Sequence, residues 1–163
     1  MEISRLSDNS IKIKTKNSTF VIDPEAKSPE ADAYVYTVAQ KNIPEGQLAI
    51  EGPGEYEIGG VYIKGEVVSD NLVYEFLDET KKVLVLSSPS AIKNLDTEDY
   101  PVVIVKASEK VESANLTTIG AELVVVYGPS ENISVEPESM RQADKVNLRK
   151  IDELKGFIVY LSK

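Results

Sequence analysis

Apolar and polar residues alternate with a period of two through much of the first half of the chain, and this confines the fold to one rich in paired strands. Ile11 and Ile13, then Phe20 and Ile22, flank the polar turn Lys16-Asn17-Ser18, which predicts a hairpin, and Asp23-Pro24 stops its second strand. Tyr34 to Val38 is a short β-rich segment closed by the polar loop 40–47. Leu48-Ala49-Ile50 leads into the turn Gly52-Pro53-Gly54. Strands around Tyr56-Glu57-Ile58 and Val61-Tyr62-Ile63 then join through Gly59-Gly60, a pair suited to the positive φ values of a tight hairpin turn. Leu72 to Phe76 and Val83 to Leu86 form a further pair across Asp78-Glu79-Thr80.

The texture changes in the second half. Val102-Val103-Ile104-Val105 and Leu123-Val124-Val125-Val126-Tyr127 are continuous apolar runs, the mark of strands buried on both faces. Ser113 to Ala121 reads as a helix with Ser113 as N-cap and Gly120 near its end, and Pro137 to Ala143 reads as a shorter one. Val146 to Lys150 and Gly156 to Leu161 return to strand alternation. The expected class is α/β (α+β), one domain over 1–163, in which two packed mixed sheets carry few short helices. A chain of 163 residues buries about 68–70% of its unfolded surface and needs no staple.

Composition removes whole classes of chemistry. The chain has no histidine and no cysteine, so the commonest general base, the usual zinc ligands, thiol nucleophiles and disulfides are all missing. The 27 acidic residues outweigh 18 basic ones for a net charge of −9, and the lysines fall singly or in pairs such as Lys81-Lys82. Without a basic stripe, nucleic acid is not an expected partner. No apolar run approaches the span of a bilayer, about 20 residues, and Met1-Glu2-Ile3-Ser4-Arg5 lacks the build of a signal peptide, so a cytoplasmic protein without membrane contact is expected.

Several stretches resemble the metallo-β-lactamase fold, in particular the small zinc-dependent hydrolases of that superfamily. Met1 to Lys14 resembles their first strands, and Phe20-Val21-Ile22-Asp23-Pro24 resembles the next with its terminal Asp-Pro. The most specific match is Ile50 to Gly65, which contains Gly52-Pro53-Gly54-Glu55-Tyr56-Glu57. The resemblance implies a reduced αββα sandwich. It also implies where a two-zinc centre would take its ligands. The His-x-His-x-Asp-His loop would fall on Val38, Gln40, Asn42 and Ile43, the bridging aspartate on Ser88, and the last histidine near Gly128. None of these is a ligand type, and no shift of alignment supplies an absent histidine. Asp23 matches the aspartate that supports the metal loop in the family, although as a residue it reads as a cap on the following turn. Asp8 and Asn9 stand where the family has a glycine-histidine pair.

Other chemistry finds little support. Asp96, Glu98 and Asp99, and likewise Glu75, Asp78 and Glu79, lack the glycine-punctuated spacing of a calcium loop and read as solvated turns. Glu51, Glu55 and Glu57 flank a glycine turn, but alternation sends Glu55 and Glu57 to one face as on a solvent-facing strand. Ser87, Ser88 and Ser90 would need a base such as Lys93 or Lys106, for which spacing gives no support. Gly52-Pro53-Gly54 opens no helix and precedes no lysine, so it is no phosphate loop.

The expected protein is therefore non-catalytic, free of metal and cofactor, and an interaction or structural subunit that pairs with itself, with another protein or with an intact relative. The alternative is a metal-independent small-molecule binder or weak hydrolase using a vestigial pocket of Asp23, Gln40, Asn42 and Ser88.

Overall fold

The alternation expected in the first half is realised as antiparallel pairing in a computed structural model that describes residues 1–39, 46–79, 81–97 and 99–162. Strands β1 (Glu2–Arg5), β2 (Ile11–Lys14), β3 (Thr19–Ile22), β4 (Ala33–Tyr36) and β5 (Ala49–Glu51) belong to one sheet. Its order is β15-β1-β2-β3-β4-β5, where β15 is Lys145–Asn147. Ile11 pairs with Ile22 and Ile13 with Phe20, so the apolar set of this hairpin faces inward as a block. The β3–β4 and β4–β5 pairs are parallel.

The second sheet comprises β6 (Gly54–Ile58), β7 (Val61–Val68), β8 (Asn71–Leu77), β9 (Lys82–Leu86), β10 (Val102–Lys106), β12 (Leu123–Tyr127), β14 (Met140–Ala143) and β16 (Ile158–Leu161). Its order is β14-β16-β12-β10-β9-β8-β7-β6. The continuous apolar runs are its central strands, and β9, β10, β12 and β16 run parallel. Each is buried on both sides because its inner residues enter the core between the sheets while its outer ones pack under Ala91, Ile92 and Leu116. Short β11 (Val111–Glu112) and β13 (Ile133–Ser134) pair with each other alone.

Phe20 meets Phe76 edge-on at 5.5 Å, closing the core between the two sheets. Where β5 turns into β6, the chain passes from one sheet to the other through Gly52 and Gly54, at φ +83° and +155°. Tyr74 fastens that corner: its hydroxyl accepts from the Gly52 N–H at 3.1 Å and donates to the Tyr36 carbonyl at 2.9 Å. Gly65 lies beneath it, where a Cβ would come within 2.7 Å of the Gly52 carbonyl and 2.8 Å of the Tyr74 ring. The glycine-rich match is thus a structural corner.

Helices are fewer and shorter than expected. Helix α1 is only Ser113–Thr117, and its N-cap is Glu112, whose side chain forms a capping box with Asn115. The helix expected over Pro137 to Ala143 is a 3₁₀ turn, Pro137–Ser139, followed by strand β14, because Met140 to Ala143 gains a ladder beside β16. The expected strand Val146 to Lys150 ends at Asn147 and becomes the 3₁₀ segment Leu148–Glu153, capped by the Asn147 side chain. A further 3₁₀ segment, Pro89–Asn94, precedes β10 and is capped by the Ser88 side chain. On the outer face of the first sheet, Val21, Tyr34 and Tyr36 form a cluster to which no described helix contributes. No helix among the described residues is long and apolar enough to cross a membrane.

Candidate functional site

Five strands end together: β3, β4, β9, β10 and β12 present their carboxyl ends to one side of the sandwich, where parallel sheets commonly form a crevice. A cleft of about 660 Å³ opens there, lined among others by Thr37, Val38, Val67, Asn71, Ser88 and Lys106. Its lip is apolar, with Val38 65% and Val67 58% exposed.

Asp23 follows β3 with φ at +47°, a conformation a short polar side chain tolerates. Its N–H donates to the Val35 carbonyl at 2.8 Å. The carboxylate does not cap the following turn. One oxygen accepts from the Thr37 N–H at 2.8 Å, and the other accepts from the Thr37 hydroxyl at 2.7 Å and from Lys106 Nζ at 2.8 Å. Asp23 and Lys106 are each 13% exposed, and the pair joins the ends of strands in opposite sheets. Beneath, Tyr127 is fully buried, and its hydroxyl has no hydrogen-bond partner among the described residues. Burial, with a smaller contribution from the Asp23 charge, holds that phenol neutral well above its ordinary range. Tyr36 is raised in the same direction by burial and by Glu51, Tyr34 and Asp23.

The other wall is a relay of polar contacts. Asn71 Nδ2 donates to Ser90 Oγ at 3.0 Å, Ser90 and Ser88 share a hydrogen bond of 2.9 Å, and Ser88 Oγ donates to Glu109 at 2.9 Å. Lys106 and Ser88 line the same cleft, yet the ammonium is directed to Asp23 and the hydroxyl to Glu109, so the two do not form a serine–lysine pair. A carboxylate is a weak base for a serine hydroxyl, which leaves Ser88 a hydrogen-bonding group here.

Of the residues singled out for a vestigial pocket, Ser88 lines the cleft and Asp23 bonds two of its lining residues, whereas Gln40 and Asn42 lie outside the described residues. Glu55 and Glu57 are exposed together on β6, and Glu75 is bound by the Tyr100 hydroxyl at 2.7 Å and by Lys82 at 3.3 Å. Glu98 lies outside the described residues, among which no three acidic side chains are grouped to hold a metal. Asp8 pairs with Arg5. Sequence reasoning missed the Asp23–Lys106 and Ser88–Glu109 pairs. A lysine ending an otherwise apolar strand was the available signal for the first.

Among the described residues, those at the positions of a two-zinc centre do not fit a metal. Gly128 sits at φ +134°, and a Cβ there would come within 3.0–3.2 Å of Ala107. A side chain at that position would be strained and tight, Ser88 offers a hydroxyl, and the Asp23 carboxylate is already engaged by an ammonium.

No protein-family model and no curated protein matches the sequence. Solved structures do. A Thermotoga maritima protein assigned to the zinc-dependent hydrolases of the metallo-β-lactamase superfamily superposes with a TM-score of 0.67 at 16% identity, over 98% of each chain. An isothiocyanate hydrolase from Delia radicum gut bacteria gives 0.60 at 10% identity, over 90% of this chain and 99% of its own. The metallo-β-lactamase fold protein YhfI from Bacillus subtilis gives 0.59 at 10%, over 99% and 96%. The chain has the metallo-β-lactamase fold.

Proposed function

We propose that this chain is a non-catalytic, metal-free member of its fold that serves as a protein-interaction or structural subunit, with the cleft as its recognition face. The Asp23–Lys106 ion pair carries the reading. A divalent cation at this end of the sandwich would have to displace a largely buried ammonium that already neutralises the carboxylate, at 2.8 Å. The Ser88 and Ser90 hydroxyls are bonded to each other and Ser88 to Glu109, and the exposed valines at the lip supply apolar area for a partner. Zinc or manganese should leave the melting temperature unchanged and elicit no esterase or phosphodiesterase turnover, because an ion that binds the native state raises its stability. A concentration-dependent rise in melting temperature accompanied by turnover would remove this reading.

The cleft volume favours one second reading, a metal-independent binder or weak hydrolase of a small molecule, since about 660 Å³ lies within the range of ligand pockets. A metabolite that raises the melting temperature of the protein but not of Ser88→Ala would select it.

A further inference from the structure

The opposite end of the sandwich holds a second, electrostatically distinct cavity. Strand β7 begins at one and ends at the other: Val61 lines this cavity and Val67 lines the cleft, about 20 Å apart along a strand. The cavity measures about 380 Å³, and a shallower one of about 220 Å³ shares Met1, Thr15, Lys16 and Arg149 with it. Lys16, from the β2–β3 turn, Lys81, from the β8–β9 turn, and Arg149, just after β15, line the larger space, and Lys14 lines the smaller.

None of these four cations takes part in an ion pair with a described residue, although the chain has 27 acidic residues against 18 basic ones. Lys155 holds the Asp152 carboxyl below its ordinary range, and Lys81 is only a minor, longer-range influence on it. Three acidic residues line the two cavities, Asp78 and Glu79 on the larger and Glu2 on the smaller, and Asp78 faces the Met1 ammonium at 3.9 Å while Glu2 pairs with Lys145 at 3.2 Å, which leaves the cations in excess. Like charges brought together in excess of their counter-ions oppose folding, and a protein with surplus carboxylates had the means to neutralise them. Clustered charge only partly compensated around a cavity is the arrangement expected of a binding site that completes its electrostatics with a ligand. Gly60 leaves its side of the wall open, with nothing within 4 Å of where its Cβ would stand.

We infer that this cavity binds a compact polyanion of the phosphate class, a pyrophosphate or phosphate monoester, with the Arg149 guanidinium as its forked donor and Lys16 and Lys81 as point charges. Guanidinium groups bind phosphate oxygens in pairs, whereas ammonium groups act through charge. The site is independent of the cleft and of the function proposed for it.

Isothermal titration with pyrophosphate and with inorganic phosphate at low ionic strength tests the assignment. Pyrophosphate is expected to bind the intact protein with Kd at or below about 1 mM, and Lys16→Ala/Arg149→Ala to weaken it at least about tenfold, as should Lys81→Ala alone to a smaller extent. A control pair of the same charge change, Lys27→Ala/Lys93→Ala, removes lysines that line neither cavity and should retain affinity. Circular dichroism confirms that each variant is folded. Absence of binding by the intact protein, unchanged binding by the Lys16/Arg149 variant, or equal losses in both double variants overturns the inference.

Discussion

Lys106 Nζ lies 2.8 Å from Asp23 Oδ2, joining residues 83 positions apart at the ends of strands in the two opposing sheets. With both side chains 13% exposed, this pair is shielded enough that removing one member leaves a charge poorly solvated. Lys106→Met should destabilise the protein by about 3 kcal/mol, the lower end for a buried pair, and Asp23→Asn by a comparable amount. The double variant should lose less than the sum. Urea unfolding of the four proteins measures the coupling, and strict additivity would show that the contact contributes nothing.

Gly65 is required by space. A Cβ there would press on the Gly52 carbonyl at 2.7 Å and on the Tyr74 ring at 2.8 Å, and neither backbone nor buried ring can yield cheaply. Gly65→Ala should cost about 2 kcal/mol or more by overpacking. Gly60→Ala meets no atoms within 4 Å and should cost about 1 kcal/mol for its positive φ alone. Comparison of the two by urea denaturation checks the ranking.

Three buried or half-buried phenols set an alkaline limit. Burial is the first cause of the raised pKa at Tyr74, Tyr100 and Tyr127, supplemented at Tyr100 by Glu75 and at Tyr127 by Asp23. Unfolded tyrosines titrate near pH 10. Above that pH the unfolded chain has lost protons that the native protein keeps, so stability should be level through neutrality and fall as pH rises past about 10. For fully buried Tyr127 the loss is up to about 1.4 kcal/mol per pH unit.

Tyr127→Phe should flatten that slope. At neutral pH it removes a hydroxyl that bonds no atom of the described residues, so stability should be equal or higher. A neutral-pH loss above about 1 kcal/mol would show that the hydroxyl is in fact hydrogen-bonded. Thermal unfolding from pH 7 to 11 reads both effects.

The valines at the cleft lip test the interaction reading directly. Val38→Glu/Val67→Glu alters two exposed side chains and should leave the melting temperature within a degree or two, about 0.5 kcal/mol, of the parent. It should abolish a dimer seen by light scattering, or capture of a stoichiometric protein partner. Retention of the same assembly would place the contact face elsewhere.

Local pattern made much of the fold legible before any coordinates. Ile11, Ile13, Phe20 and Ile22 announced their hairpin, and Val102–Val105 and Leu123–Tyr127 announced strands buried on both faces. The Gly-Pro-Gly match led to the metallo-β-lactamase fold, and solved structures show that fold. Met140 to Ala143 reads as helix because Met, Arg, Gln and Ala are all strong helix formers, and the ladder with β16 overrides that local preference.

By itself, the sequence determined the strand periodicity and the absence of imidazole and thiol, since both depend only on residue identity and near neighbours. The tertiary structure alone decided that Lys106 neutralises Asp23, that Ser88 meets Glu109, and that Lys16, Lys81 and Arg149, far apart along the chain, line one cavity. The reason is that charges interact across distances set by how strands are connected, and partners 21, 83 or 133 residues apart leave no periodic trace for a linear pattern to reveal.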